Sequence, residues 1–117
     1  MILCKIFGSE RVMPKKLNKI KIKMKYDIAI SFAHDISNKS TMWGANYIVN
    51  NMSAPYKLSF IHSNPLENGC LTKYSINLYR NFDQICCVSS FAANQFKKLS
   101  KLENVRVIHN LFDAEEI

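Results

Sequence analysis

The sequence predicts an α/β fold: an open, Rossmann-like, three-layer parallel sheet of four strands alternating with helices, over residues 26–117. Two observations carry this expectation. Four short apolar runs, 26–32, 57–62, 84–88 and 105–109, are each separated by a stretch with apolar residues at helical spacing. That order, strand–helix repeated and ending on a strand, gives a parallel sheet with right-handed crossovers.

Each element has its own local reason. Tyr26-Asp27-Ile28-Ala29-Ile30-Ser31-Phe32 is short and mostly apolar, as expected of a strand buried on both faces. A helix should follow, capped by Ser37, Asn38 or Thr41, with Met42, Ala45, Val49 and Met52 on its inner face and Asn50, Asn51 and Pro55 ending it. Lys57 to His62 forms the second strand. The turn residues Asn64-Pro65 and Asn68-Gly69 come next, then a helix lined by Leu71, Tyr74, Leu78 and Phe82. Gln84 to Val88 runs into Ser89-Ser90, a helix start, with Ala92, Phe96 and Leu99 facing inward. The fourth strand is Val105 to His109.

The 117 residues suffice for one domain with a core, and the 48% apolar and 21% charged fractions are those of an ordinary globular protein. No apolar tract is long enough to span a bilayer, and Met1-Ile2-Leu3-Cys4 stops at Lys5, short of a signal peptide. These features point to the cytoplasm. Cys4, Cys70, Cys86 and Cys87 form no C-x-x-C pair, so reduced, buried thiols are expected and no metal site.

The net charge of +7 is local: residues 1–25 hold eight basic side chains against Glu10, and residues 26–117 are neutral. Residues 1–25 are therefore a separate basic segment. Lys19 to Lys25 alternates like a strand, while Leu17, Ile20 and Met24 fall at helical spacing; the reading favours a short amphipathic helix. A solvated face explains it, and so does attachment to anionic lipid at the inner membrane face. Nucleic acid is not expected, because no aromatic residues interleave the lysines for base stacking.

Ligands of open parallel sheets bind beyond the carboxyl ends of the strands. Those ends read Ser31-Phe32-Ala33-His34-Asp35, His62-Ser63-Asn64, Ser89-Ser90 and His109-Asn110, and all three histidines of the chain lie among them. Asp35, Ser63, Ser89 and Ser90 equally suit helix caps, and His109 a backbone carbonyl. The three glycines, Gly8, Gly44 and Gly69, make no phosphate-binding loop, so no cofactor is expected to bind here. There is also no G-x-S-x-G elbow and no close carboxylate pair at the strand ends.

The succession Tyr-Asp-Ile-Ala-Ile-Ser-Phe (26–32), Lys-Leu-Ser-Phe-Ile-His-Ser (57–63), Phe-Asp-Gln-Ile-Cys-Cys-Val-Ser (82–89) and Val-Ile-His-Asn-Leu-Phe-Asp (107–113) resembles the family-4-type glycosyltransferases of the GT-B fold. In that family two Rossmann-like domains face each other across a cleft, the first binding the acceptor and the second the nucleotide-sugar donor. The resemblance covers the later half of the first domain and ends at the interdomain linker. It implies that His62 is the catalytic-cleft histidine, hydrogen-bonding a sugar hydroxyl and stabilising developing charge. Ser63 and Asn64 would be its neighbours in the cleft, Ser89 would open the next helix as its cap, and Asn110 would lie in the segment crossing to the second domain. With the strand-end residues His34 and Asp35 these are the candidate contacts for the acceptor, a polysaccharide or lipid-linked sugar of bacterial type. Leu111 departs from the proline usual at its position, which bears on hinge rigidity. The first strand with its glycine-rich loop is expected before residue 1, and the donor domain with its E-x7-E glutamates after residue 117. The nucleotide-sugar would bind that second domain, and residues 1–117 alone would not catalyse retaining transfer.

The other class of function open to this sequence is a stand-alone α/β binding or regulatory domain using its basic arm on an anionic partner. A half-sheet of four strands also leaves an edge and an apolar helix face uncovered, so marginal stability or self-association is expected.

Overall fold

A computed structural model of the chain describes residues 12, 15–16, 22–33, 44–67 and 71–111. Its elements run β1 (Ile28–Ser31), α1 (Ala45–Asn50), β2 (Tyr56–Ile61), α2 (Lys73–Tyr79), β3 (Gln84–Cys87), α3 (Ser90–Ser100) and β4 (Val105–Val107). The strands form one open parallel sheet in the order β1-β2-β3-β4. This is the expected Rossmann-like α/β architecture.

Sequential order has a strong consequence. When each parallel strand lies beside its predecessor and every crossover is right-handed, all the crossover helices fall on the same face. The core obeys this. Ala29, Ile61, Ile85, Cys87 and Val105, which share one face by strand alternation, pack with Val49 of α1, Tyr79 of α2, and Ala92, Ala93 and Phe96 of α3. Tyr79 and Phe96 meet edge-to-face at 5.0 Å between ring centres, the arrangement that aromatic quadrupoles prefer. Of the three expected layers, the described residues thus supply the sheet and one helical layer.

On the opposite face, Ile28 is 53%, Ile30 50%, Phe32 65% and Tyr56 62% exposed. The expectation that β1 is buried on both faces is therefore corrected: it alternates, with Ala29 and Ser31 buried and Ile28 and Ile30 out. An all-apolar strand looks the same from sequence whether a second layer covers it or not.

Side chains latch the amino-terminal edge of the sheet. Lys57 N–H donates to Asp83 Oδ2 at 2.7 Å while Asp83 N–H donates to Lys57 O at 2.9 Å, joining the starts of β2 and β3. Asn104 does the same between β3 and β4: its Nδ2 donates to Phe82 O, and its carbonyl accepts from Ile85 N–H and Gln84 Nε2. A buried pair, Ser59 Oγ donating to Asn46 Oδ1 at 2.9 Å, ties β2 to α1 beneath the sheet.

The helices differ from expectation in detail. The inner face of α2 centres on Ser75 and Tyr79, with Phe82 just beyond, while Tyr74 and Leu78 are only half-buried. Ala92 and Phe96 of α3 are buried as expected, but Leu99 is 38% exposed and Ala93 and Ser100 take the inner positions. In the basic segment, residues 15 and 16 are helical, whereas 22–25 are not, and Lys25 makes an isolated parallel bridge with Ser53. The amphipathic helix thus does not extend over 22–25; residues 17–21 lie outside the described residues, as do Ser37, Asn38, Thr41 and Met42. No helix of the described residues is long and apolar enough to cross a membrane.

Candidate functional site at the carboxyl edge

Because the strands are parallel, everything following them lines a single edge, in the order 32–33, 62–64, 88–90 and 108–111. His62 and His109 follow β2 and β4, with β3 between them, so their strands lie roughly 10 Å apart. His34 and Asp35 lie outside the described residues.

His62 is half-buried on the open face. Its Nε2 lies 2.8 Å from Phe32 O. A carbonyl only accepts, so Nε2 carries a hydrogen and donates it. The ring stacks on Phe60 at 5.9 Å and 18° and meets Phe32 at 4.6 Å, and Phe32 in turn lies 5.4 Å from Phe60. Strand alternation explains the cluster: Phe60 and His62 are two apart on one strand, and Phe32 stands across from them on the next. The bond to Phe32 O fixes the orientation of the ring at the edge.

His109 repeats the device one strand pair along, its Nδ1 donating to Val88 O at 3.2 Å with the ring exposed. Ser89 is the N-cap of α3, its Oγ accepting from Ala92 N–H at 3.1 Å. Asn64 organises a turn, Oδ1 accepting from Leu66 N–H at 3.1 Å and its carbonyl from Glu67 N–H at 3.2 Å. Ser63 and Asn110 are exposed on the edge, as is Leu111. The edge therefore brings His62, Ser63, Asn64, Ser89, His109 and Asn110 to one side of the sheet, with the oxygens of Ser89 and Asn64 already engaged in local structure. Phe32 is the residue that sequence reasoning passed over; its position two residues after Ile30, on the same face as His62, was the available signal.

Cys86 and Cys87, the cysteines among the described residues, contribute no reactive group. Burial pushes the Cys86 thiol up, and burial together with neighbouring Cys86 pushes Cys87 up to about 11, which disfavours the nucleophilic thiolate. Among the described residues no cluster of three His, Cys, Asp or Glu side chains could hold a metal ion. Comparison with protein-family models, with characterised proteins and with solved structures gave no match to this chain.

Proposed function

We propose that this chain is the acceptor-binding part of a retaining glycosyltransferase that moves a sugar from a nucleotide-sugar to a polysaccharide or lipid-linked acceptor. The donor is held by a second domain not contained in these residues, and the chain acts in the cytoplasm, at the inner face of the membrane. The observation that carries the reading is the carboxyl edge. A histidine with an aromatic flank, oriented through the carbonyl that follows the neighbouring strand, stands beside exposed hydroxyl and amide side chains at the place where parallel sheets bind ligands. An imidazole at such an edge can hydrogen-bond a sugar hydroxyl, and apolar ring faces suit the C–H face of a pyranose. The motif succession through 26–32, 57–63, 82–89 and 107–113 supports the same family.

The test is an NMR titration of the chain with neutral oligosaccharides, a soluble lipid-pyrophosphate-sugar analogue and a nucleotide-sugar. Saccharide should shift the amides of His62, Ser63 and Asn110, and His62→Ala should weaken binding about tenfold, the effect of losing one hydrogen bond at a desolvated site. If no saccharide perturbs this edge, or the nucleotide-sugar alone does, the proposal fails.

A second reading has its own observation: Lys15, Lys16, Lys23 and Lys25 are all exposed. A stand-alone domain that binds anionic partners through them would associate with anionic vesicles at low salt, and His62→Ala would leave that unchanged.

A further inference from the structure

We propose that Phe32 is a sugar-binding residue: its exposed ring stacks on the C–H face of one pyranose unit of the acceptor, while His62 beside it hydrogen-bonds that unit's hydroxyls. The inference rests on the acceptor-binding reading and adds to it the residue that selects the sugar. Phe32 is the first residue past β1 and stands at the carboxyl edge, on the same face of the sheet as His62. Its ring centre lies 4.6 Å from that of His62 at 56°, and 5.4 Å from that of Phe60 at 40°. Neither neighbour lies parallel on it, and the residue is 65% exposed, so a whole ring face is open.

Size and chemistry favour a single sugar unit as the occupant. Towards β3 the face closes: Phe60 is half-buried, and Cys86, its partner in register, is 1% exposed. The open aromatic surface at the edge is therefore one ring, with an imidazole within the span of a six-membered sugar. The side chains that share this face around it, Ile30, Leu58 and Phe60, carry no carboxylate, ammonium or guanidinium, which suits a neutral ligand and offers nothing to hold a phosphate. A pyranose is amphipathic in the matching sense, with axial C–H bonds on its flat faces and hydroxyls around its rim. The face of an aromatic ring carries the negative part of its quadrupole and attracts those C–H bonds, while a few placed polar groups fix the orientation of the ligand. An axial hydroxyl on the stacked face would hold the two rings apart. Phe32 thus favours a pyranose whose hydroxyls are all equatorial.

The experiment is an NMR titration of the full chain with cellobiose, whose rings are all-equatorial, and with sorbitol, an open-chain polyol. Cellobiose should bind at the edge, and some of its C–H protons should move upfield, as protons above an aromatic face do. Sorbitol has the hydroxyls without a ring face and should bind at least about tenfold more weakly. Phe32→Ala should weaken cellobiose binding about tenfold, and Phe32→Tyr should stay within about twofold of the parent chain. Phe32→Leu keeps apolar bulk but has no flat face; it should weaken binding by about threefold or more and remove the upfield shift. Ile28→Ala, at the amino end of the same strand, should change neither. Circular dichroism reads the folding of each variant, and the exposure of Phe32 leaves the core intact in all of them. Cellobiose that shifts the amides of His62, Ser63 and Asn110 but is indifferent to Phe32→Ala and Phe32→Leu overturns this inference and leaves the acceptor-binding reading standing. A chain whose edge no saccharide perturbs overturns that reading and this inference with it.

Discussion

His62 and His109 do the same local work at two places. Each follows a strand and donates a ring hydrogen to the carbonyl of the residue just past the preceding strand in the sheet, Phe32 for one and Val88 for the other. Strand ends leave such carbonyls without a ladder partner, so an imidazole there satisfies the backbone and, in doing so, fixes the orientation of its own ring. At His62 that local role also determines how the ring is presented to a ligand. Lys101 is a residue of the opposite kind, placed where its side chain brings no backbone advantage. It ends α3 in the left-handed region at φ 61°, its N–H donating to Lys97 O at 2.9 Å. A Cβ in that region costs roughly 1–2 kcal/mol, and glycine gives back about 0.5–1 kcal/mol through the greater freedom of the unfolded chain. Lys101→Gly should therefore stabilise the protein by about 0.5–1 kcal/mol, read as a rise in the denaturant midpoint at unchanged m-value. A lowered midpoint would mean that the lysine side chain has a stabilising contact worth more than its backbone strain.

At the level of elements, local chemistry sets the boundaries. Thr72 and Ser75 form a reciprocal capping box: Thr72 Oγ1 accepts from Ser75 N–H at 3.2 Å, and Ser75 Oγ accepts from Thr72 N–H at 2.7 Å. For a helix of seven residues this matters, because so short a helix does not form on propensity alone. Thr72→Ala should cost about 1 kcal/mol and lower the melting temperature by roughly 4 °C, with the amides of α2 losing hydrogen-exchange protection first. Much of this level was legible in the sequence: three strands lie within their apolar runs, β2 begins one residue ahead of its run at Tyr56, and Ser89 caps α3. What was not legible has physical causes. Helical spacing marks a stripe wider than the contact itself, so Leu78 and Tyr79 were indistinguishable until packing against Phe96 chose Tyr79. Asp83 and Asn104 could not be recognised as latches, because their partners, at residue 57 and within residues 82–85, are set by strand order and not by neighbouring sequence. The candidate site was legible as an edge, since parallel strands carry all their carboxyl ends to one side. Its cluster of Phe32, Phe60 and His62 needed the β1–β2 register.

For the whole molecule, the sequential strand order is the governing fact. It confines the three helices of the described sheet crossovers to one face, and so distributes stability unevenly across the sheet. β3 is flanked by β2 and β4, and Ile85, Cys86 and Cys87 are all buried; among the described strands β1 lies at the edge, with only Ala29 and Ser31 buried. Local opening follows burial and contact, so β1 should detach at a lower free energy than the β2–β3 pair. Native-state hydrogen exchange measures this directly. The hydrogen-bonded amides of β3 should exchange only through global unfolding. Those of β1 should exchange through a sub-global opening at least about tenfold more populated, a difference of about 1.4 kcal/mol. Equal protection of β1 and β3 would instead mean that β1 belongs to the same cooperative unit as the core, its exposed face notwithstanding.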